Sequence, residues 1–406
     1  MSTNPKKSVA PSTIPQLVKT DIERVLESGL VDFSIRELLG LLLSNAGTAE
    51  RKVFLENTPN DKANGFYERS VQLGTIPVDV QVPRTRKGDF RPASLPSPYR
   101  RGYVEEVETL LTGLLGSSRS VNAAKNALRK MGLSSSEQDL ERVATGFMDE
   151  LELRNSRPLD PDWLAVFVDG KYIEMREGDK LRSTCIYLAV GYGLDGKKRI
   201  LSCVARPGRE SLEGWKSILR GLIERGLRRL MILVHDDFSG LLPITKSLFP
   251  TADVQLCTVH MSRNARAHLS KSDAFEFKQR WTSIKACWDP EAASQQFEQL
   301  CDRFAKVYPT WIPELRNKRA HYLAFLKYPE SIRNYFASTN LVEAVNGQLE
   351  IMRRNSGGYF HSEDTLKLKL GLAVSSLENG RWSRTGYNDR LVLPQLNAMF
   401  QLRFES

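Results

Sequence analysis

The sequence lacks a long hydrophobic run and a framework of paired cysteines. No window approaches the about 20 consecutive apolar residues of a membrane-spanning helix, and the opening segment MSTNPKKSVAPSTIPQ has no apolar stretch typical of a signal peptide. Five cysteines are an odd number in a chain of 406 residues, which argues against a disulfide scaffold. These absences predict a cytoplasmic protein with no membrane partner.

Positive charge is the first informative feature that is present. Hydrophobic residues make up 41% of the chain, enough for a substantial core, and the length suits two or three domains. Lys and Arg number 58 against 48 Asp and Glu, a formal charge of +10. This balance favours polyanionic partners through phosphate neutralisation, although it is also an ordinary means of staying soluble.

Hydrophobic patterning divides the first part of the chain into three regions. Residues 1–16 have little to bury, which predicts a disordered leader. Residues 17–62 show helical periodicity in DIERVLESGL and SIRELLGLLLSN, and turn-forming residues are expected to close this region from Gly47 onwards. Residues 63–158 begin with a period-two pattern from Val71 to Val82, which predicts a β-hairpin, and continue with three helical stretches.

A basic segment, VPRTRKGDFRP, follows the predicted hairpin. Its extended backbone has no apolar anchor and suits contact with phosphates or a minor groove, and the alternative is a solvated loop. The last two helical stretches are joined by Gly132-Leu133-Ser134, which is compatible with a helix-turn-helix or with plain packing. We predict a DNA-binding region here. Its expected DNA contacts are Arg84, Arg86, Lys87 and Arg91.

Residues 159–262 have the pattern of a βββαβαβ unit. The first strand is an apolar run that ends in Asp169, followed by Gly170, where the backbone can turn or approach a ligand closely. Two more strands and an amphipathic helix lead to a fourth strand, which ends at Asp236. This order predicts an α/β fold with an RNase H-like core, in which the first and fourth strands are neighbours.

Two carboxylates at one edge of a sheet repel each other unless a cation lies between them. Strand-end aspartates usually cap turns, but neighbouring strands one and four would bring Asp169 beside Asp236. Asp237 could replace Asp236, yet successive strand residues point to opposite faces, so only one of them should face Asp169. Oxygen ligands favour Mg²⁺ over zinc, and such a core predicts two Mg²⁺ (or Mn²⁺) ions per active site.

A third acidic candidate, Glu343, lies in the helix-like segment STNLVEAVNGQLEIMRRN. A single helical Glu is usually solvated, but Asn340, Glu343 and Asn346 recur every three residues beside an apolar stripe. The two amides can orient the carboxylate, and Arg353 and Arg354 follow at the end of the segment. This setting suits a metal ligand at the edge of a phosphate channel.

These motifs, in this order, resemble those of bacterial insertion-sequence transposases of the Mutator-like DDE family. The resemblance runs from about Asn64 to near the C-terminus. Its pieces are NGFYERSVQLGTIPVDVQVPRTRKGDF, the Asp169 strand, SLEGWKSILRGLIERGL, HDDFSGL, a Cys and His pattern from Phe249 to Asn264, TNLVEAVNGQLE and YFHSEDTLKLKL.

The resemblance implies an enzyme that cleaves DNA at transposon ends with divalent metal ions and transfers the freed strand into target DNA. Asp169, Asp236 and Glu343 would be its catalytic and metal-binding residues. Its partners would be terminal inverted repeats and target DNA, bound by a homodimer or larger assembly, in the bacterial cytoplasm and in association with the nucleoid. The arginines expected to neutralise phosphates near the cut are Arg263, Arg266, Arg353 and Arg354.

The resemblance also assigns the segments around this triad. Residues 263–332 would be an all-α insertion, and residues 333–406 would supply the C-terminal helices of the core. Cys257 and His260 form the family's C-x2-H signature. Two ligands cannot complete a tetrahedral zinc site, and no second CxxC or HxxxH pair accompanies them, so we predict a structural or DNA-contacting role.

The chain departs from the family pattern directly after the second aspartate. Family members usually carry a small residue and then His there, whereas this chain has Asp237 and Phe238, so assistance from a histidine at that place is absent. Two alternatives stay open. One is a nuclease on the same RNase H-like fold that joins no DNA, and the other is a transposase-derived protein that binds DNA without cutting it.

Overall fold

The computed structural model describes residues 35–73, 76–95, 105–130 and 137–405. The predicted leader, the predicted helix in DIERVLESGL and the connection at Gly132-Leu133-Ser134 lie outside the described residues. The chain divides into two compact units: Met1–Leu115 with Asn122–Val143, and Gly116–Val121 with Ala144–Ser406. None of the described helices is long and apolar enough to cross a bilayer.

The first unit contains a helix packed on a hairpin. Its elements are α1 (Ile35–Glu56), β1 (Ala63–Leu73) and β2 (Ile76–Thr85). The two strands pair antiparallel, as the period-two pattern predicts. Alternate strand residues, among them Val71, Val78 and Val80, are buried beneath Leu39 and Leu43 of the helix, so one face of the hairpin forms a small core.

Helix α1 is longer than the sequence pattern predicts. The turn expected from Gly47 onwards is wrong, because the helix continues to Glu56. A Cβ at Gly47 would lie 3.3 Å from Pro83 Cδ and from Pro92 Cγ. The glycine therefore serves close packing of the helix on the hairpin and does not mark its end.

Three helices follow, as predicted: α2 (Glu105–Ser117), α3 (Val121–Lys130) and α4 (Glu137–Ser156). Within the first unit, Arg129 Nε donates to Glu137 Oε1 at 2.7 Å, and Lys125 pairs with Glu141. These ion pairs join α3 to the start of α4. The helices are present, but their arrangement as a DNA-reading helix-turn-helix stays a prediction.

The second unit is built on a five-stranded mixed sheet. Its elements are β3 (Asp162–Glu177), β4 (Lys180–Gly193), β5 (Lys198–Pro207), α5 (Leu212–Glu224), β6 (Arg229–His235), α6 (Leu241–Leu248) and β7 (Asp253–Leu256). The strand order is β5-β4-β3-β6-β7. Strands β3, β4 and β5 pair antiparallel, whereas β6 is parallel to β3 and to β7. The predicted element order and the adjacency of the first and fourth strands are confirmed.

Both faces of this sheet are covered. Along β3, Leu164, Ala165 and Phe167 pack into one hydrophobic cluster, while Val166 and Val168 pack into another on the opposite face with the helices α5 and α6. A strand that is buried on both faces has a continuous apolar run instead of an alternating one. This explains why the segment before Asp169 is so apolar.

Asp169 is not at the end of its strand, contrary to the prediction. Strand β3 continues to Glu177, and Asp169 pairs with Leu188 of β4. What ends nearby is the parallel ladder with β6, whose last pair is Phe167 with Val234. The apolar run stops because β3 loses its neighbour on one side, not because the strand stops.

The remaining elements are helices that enclose the sheet. They are α7 (Thr258–His268), α8 (Lys271–Ala286), α9 (Pro290–Ala305), α10 (Trp311–Asn317), α11 (Arg319–Tyr322), a 3-10 turn (Ala324–Lys327), α12 (Glu330–Phe336), α13 (Asn340–Asn355), α14 (Glu363–Asn379) and α15 (Tyr387–Phe404). Every element that the structure describes within residues 263–332 is helical, as the resemblance implies. Their buried aromatic residues, which include Phe277, Trp281 and Phe297, belong to the same hydrophobic cluster as Leu164 and Phe167 of β3.

Two glycines of α5 provide a test of its packing. A Cβ at Gly214 would lie 2.4 Å from Tyr187 Oη, whereas one at Gly221 would meet no described atom within 4 Å. We expect Gly214→Ala to lower the free energy of unfolding by about 1–3 kcal/mol through overpacking. The control Gly221→Ala should raise it by roughly 0.5–1 kcal/mol, because Ala loses less backbone entropy in a helix. Urea unfolding followed by circular dichroism measures both, and equal effects would contradict this packing.

Candidate active site

Asp169 and Asp236 lie close together beyond the end of the β3–β6 ladder. Asp169 is only 6% exposed. Burial raises its pKa to about 7, with the charges of Asp236 and Glu210 acting in the same direction and His260 opposing them. Burial likewise raises the pKa of Asp236 to about 6. Two neighbouring carboxyl groups with raised pKa values form an electrostatically unfavourable pair that a bound cation would stabilise.

Asp237 is turned away from this pair. Its carboxylate accepts hydrogen bonds from Lys318 Nζ at 2.7 and 2.8 Å and from Tyr322 Oη at 3.0 Å. The prediction that only one of the two successive aspartates faces Asp169 is confirmed. At the position where the family pattern differs, Asp237 thus forms an ion pair with the helical segment, and Phe238 packs against the core beneath α5.

Glu210 is a third acidic residue at this place, which the sequence analysis missed. It lies just before α5, and its carboxylate accepts from Trp215 Nε1 at 2.5 Å. Burial raises its pKa, and its charge raises the pKa of Asp236. The only local signal was an acidic residue preceding a helix cap, which is common on protein surfaces.

Gly170 has a different role from the one that its position after Asp169 suggested. It lies within β3, where no turn occurs, and a Cβ there would stand 2.9 Å from Glu210 Cδ. The missing side chain therefore leaves room for the Glu210 carboxylate beside Asp169. The sequence suggested a turn or the close approach of a ligand, whereas the group beside Gly170 is a side chain of the chain itself.

Glu343 lies in the first turn of α13, and its carboxylate is held by an arginine. Arg263 Nη2 donates to Glu343 Oε1 at 3.1 Å, and Arg263 Nη1 lies 3.1 Å from His260 Nε2. One turn further, Asn346 Nδ2 donates to Asp169 Oδ2 at 3.2 Å. The polar row on α13 thus reaches the aspartates through Asn346. The amides were expected to orient Glu343, and here Asn346 orients Asp169 instead.

Several polar atoms around Asp169 are buried without a hydrogen-bond partner in the described part of the chain. They are Asp236 Oδ1, Asn346 Oδ1 and His260 Nδ1. Unsatisfied buried polar atoms are rare and require an explanation. Within the residues described, no three His, Cys, Asp or Glu side chains are already arranged as a metal site. The Glu343 carboxylate, paired with Arg263, is not part of the cluster of aspartates.

Cys257 and His260 contact different groups. Cys257 is buried just before α7, and its Sγ lies 3.5 Å from Thr339 Oγ1, next to the start of α13. Its backbone N–H donates to the carbonyl of His235 at 2.7 Å, which anchors α7 to the end of β6. These contacts are those of a structural cysteine. His260 instead lies beside Arg263, in the polar group around Asp169.

The predicted phosphate-neutralising arginines differ in their availability. Arg263 and Arg266 are both exposed on α7. Arg353 pairs with Glu350 at 2.7 Å and donates to the carbonyl of Gly358, and Arg354 lies 3.3 Å from the same Glu350. The hydrogen bond from Arg353 lowers the pKa of Glu350 to about 2. Arg353 therefore stabilises the end of α13 in this structure.

The basic segment begins inside the hairpin, not after it as predicted, because β2 continues to Thr85 and Val82 is buried in the core. The segment borders a cavity in the first unit. Arg84 and Arg91 line this space of about 710 Å³ together with Tyr67 and Phe90. The guanidinium of Arg84 lies 5.8 Å from the centroid of the Tyr67 ring. The other two predicted DNA contacts, Arg86 and Lys87, are exposed beside it. A concave basic surface with aromatic walls is compatible with binding of a polyanion.

Comparison with known proteins places the chain in a family. Residues 12–384 match the family described as Transposase, Mutator family. The chain is 27% identical over 376 residues to the transposase for insertion sequence element ISRM5 of Rhizobium meliloti, covering 91% of this chain and 89% of the relative. It is 26% identical over 329 residues to the transposase for insertion sequence element IS905 of Lactococcus lactis, covering 79% and 83%.

A solved structure also matches part of the chain. It is titled Drosophila P element transposase strand transfer complex, and it matches 76% of this chain and 83% of that chain at 16% identity. The TM-score is 0.28, too low to support an argument about the fold. The family match, by contrast, covers most of the chain. The chain belongs to the Mutator family of transposases.

Proposed function

We propose that this chain is a metal-dependent DDE transposase on an RNase H-like core, which cleaves DNA at transposon ends and transfers the freed strands into target DNA. The observation that carries this proposal is the pair of largely buried carboxyl groups with raised pKa values, Asp169 on β3 and Asp236 directly after the neighbouring strand β6. It occurs in a member of the Mutator family of transposases and on a sheet with three antiparallel strands followed by two parallel ones.

The residues around Asp169 fit a hard divalent cation. Mg²⁺ and Mn²⁺ prefer oxygen ligands, and Asp236 Oδ1 and Asn346 Oδ1 are buried oxygens without hydrogen-bond partners among the described residues. Asp169, Asp236 and Glu343 would hold two such ions, and Glu210 adds negative charge beside them. When bound, the ions would activate water or a 3′ hydroxyl and stabilise the charge that develops on the phosphate.

The side chains of the chain have distinct tasks in this proposal. Asn346 fixes the orientation of the Asp169 carboxylate through its hydrogen bond, and Trp215 does the same for Glu210. Arg263 holds Glu343 when DNA is absent. A DNA phosphate would compete for this guanidinium, since both groups suit the same donor fork, and Glu343 would then be released toward the aspartates.

DNA is the proposed partner, in the form of terminal repeats and target. Arg84, Arg86, Lys87 and Arg91 would contact the backbone of the element's end, and Arg263 and Arg266 would neutralise phosphates near the cut. Joining two ends requires more than one copy of the chain, so a homodimer or larger assembly on DNA is part of the proposal.

The divalent ion can be tested without any DNA. We expect Mg²⁺ to raise the Tm of the wild-type protein, because it binds the folded state and relieves repulsion between buried carboxylates. Asp236→Asn should raise the Tm in EDTA by about 2–4 °C, corresponding to roughly 1 kcal/mol, and should remove most of the Mg²⁺ response. Differential scanning calorimetry in EDTA and in Mg²⁺ measures both effects.

Asp237→Asn is the matched control for this experiment. It removes the ion pair with Lys318, so we expect it to lower the Tm while the Mg²⁺ response stays intact. A Mg²⁺ response that survives in Asp236→Asn but vanishes in Asp237→Asn would contradict the assignment of Asp236 as the metal ligand.

Glu343 can be tested by catalysis and binding together. We expect Glu343→Gln to lower Mg²⁺-dependent DNA cleavage by at least about 100-fold, because the amide cannot replace an anionic ligand at the proposed metal site. Its affinity for DNA should stay within about threefold of wild type. Cleavage on gels and fluorescence anisotropy with the same DNA measure the two quantities. Equal cleavage by variant and wild type would favour a protein that binds DNA without cutting it.

A substrate with pre-cleaved ends separates a transposase from a nuclease. Incubation with such DNA, a target plasmid and Mg²⁺ should give joined product from the wild type and none from Glu343→Gln. Cleavage without any joined product would support the nuclease alternative.

The cavity beside the hairpin can be tested by the salt dependence of DNA binding. We expect Arg84→Gln combined with Arg91→Gln to weaken DNA binding and to reduce the slope of log K against log salt by about 2, since each lost phosphate contact removes about 0.9. The control is Arg36→Gln with Arg129→Gln, whose guanidinium groups are paired with Asp79 and Glu137. An equal change in slope for both variants would show that net charge alone matters.

A further inference from the structure

A cavity of about 430 Å³ in the second unit lies at the start of α13 and is not explained by the acidic site. Its wall combines cations, amides and aromatic rings. The charged, aromatic and amide groups include Lys198, Tyr335, Asn340, Arg381 and Arg384. The volume falls within the range of about 300–1,000 Å³ that is usual for small-molecule sites.

The cavity has uncompensated positive charge. Arg381 and Arg384 are exposed, and neither guanidinium makes a hydrogen bond or an ion pair with any residue that the structure describes. Lys198 is compensated, because its Nζ lies 2.6 Å from Asp389 Oδ2 and both side chains are largely buried. Two unpaired guanidinium groups at one cavity favour a ligand with a phosphate.

Two helices begin at the same cavity. Helix α13 starts at Asn340 and α15 starts at Tyr387, directly after Gly386, and neither has a side-chain cap on its first N–H groups. Asn340, Leu341 and Gly386 all line the cavity. Uncapped helix N-termini present backbone donors and a partial positive charge, which adds to the preference for an anion that the arginines establish.

The aromatic and amide groups suit a base. Tyr335 is 38% exposed, and its ring lies with its centroid 5.3 Å from Lys198 Nζ. Such a ring can stack on any nucleobase. The side chains of Asn334 and Asn340 line the same space, and amides offer both donors and acceptors to base edges. Phosphate and base requirements together indicate a nucleotide.

The cavity is connected to the acidic centre by an oblique row of polar side chains on α13. Asn340, Glu343 and Asn346 are spaced by three residues, so they lie in a row on the helix surface. Asn340 lines the cavity, and Asn346 donates to Asp169. The row rises about 9 Å along the helix axis while it turns about 120° around it, a span of a few nucleotide steps of about 3.4 Å each. A DNA strand lying at Asp169 would therefore reach the cavity with its adjoining nucleotides.

We propose that this cavity binds one unstacked nucleotide of the DNA strand that is being cleaved, next to the scissile phosphodiester. Arg381 and Arg384 hold its phosphate, Tyr335 stacks on its base, and Asn340 contacts its edge. The inference rests on the proposed function, since it extends the path of the DNA from the acidic site. It predicts a preference for DNA whose strands are separated at the end.

The experiment compares two DNAs in EDTA, so that no cleavage occurs. One is a short blunt duplex, and the other is the same duplex with a few unpaired thymidines on both strands at one end. Wild type should bind the forked DNA more tightly. Arg381→Gln combined with Arg384→Gln should lose about tenfold or more affinity for the forked DNA and less than about threefold for the blunt one. Fluorescence anisotropy measures the four dissociation constants, one for each protein with each DNA.

Two controls distinguish the contribution of the cavity to DNA binding from that of net positive charge. Arg220→Gln combined with Lys278→Gln removes the same charge from exposed positions away from the cavity. This variant should lose affinity for both DNAs equally. Tyr335→Ala should reduce the preference for forked DNA, and Tyr335→Phe should keep it because the ring remains. Equal losses on both DNAs in the arginine variant, or no preference in the wild type, would overturn the proposal.

A competition experiment tests whether the cavity binds a nucleotide within a DNA strand or a free nucleotide. Free thymidine monophosphate should compete for the forked DNA only at high concentration if the cavity takes a nucleotide within a strand. Competition by the free nucleotide at lower concentration than by forked DNA would overturn the proposed DNA ligand. Because binding is measured without divalent ions, these outcomes are independent of whether Glu343→Gln abolishes cleavage.

Discussion

The constraint on which the site depends is the burial of two carboxyl groups side by side. Parallel pairing of β3 with β6 brings Asp169 and Asp236 together, and desolvation raises the pKa of both. Neighbouring elements are arranged around this pair: Asn346 of α13 donates to Asp169, while Asp237 is drawn away by Lys318. Such a pair is unfavourable for folding in the absence of a cation, because each carboxylate disfavours the charge of the other. The presence of this carboxyl pair in a large, well-packed core is consistent with a functional role, since groups with perturbed pKa values concentrate at functional sites.

Much of the fold could be predicted from the sequence because its signals are local. Apolar runs, period-two alternation and helical periodicity each depend on neighbouring residues, and together they gave the order of strands and helices in the second unit. The predictions were wrong where a contact between residues far apart in the sequence determines the local structure. Gly47 has the pattern of a turn, yet it lies inside α1 because Pro83 and Pro92 pack against it. Asp169 has the pattern of a strand end, yet β3 continues because β4 still pairs with it.

The candidate site could likewise be predicted from the sequence only in part. The identities of Asp169, Asp236 and Glu343 could be proposed from motif and spacing, but the side chains that contact them could not. Arg263 reaches Glu343 from 80 residues away, and Glu210 follows β5, two strands later in the chain than Gly170 on β3. Partners of this kind are set by tertiary structure, and single-sequence patterns hold no information on them. The metal and the catalytic role of the triad stay predictions for the same reason.

In helix α13, the spacing of the polar residues along the sequence determines which groups of the site they contact. Asn340 reaches the cavity at its start, Glu343 pairs with Arg263, and Asn346 binds Asp169. Backbone hydrogen bonds of a helix fix the relative positions of these three side chains more rigidly than a loop would. The apolar stripe of Val342, Val345 and Leu349 is fully buried and fixes the rotation of the helix about its axis. One residue inserted between Asn340 and Asn346 would rotate one of them by about 100° and separate the polar row from its partners. The geometry that joins the acidic centre to the cavity therefore follows from a three-residue repeat beside a buried stripe.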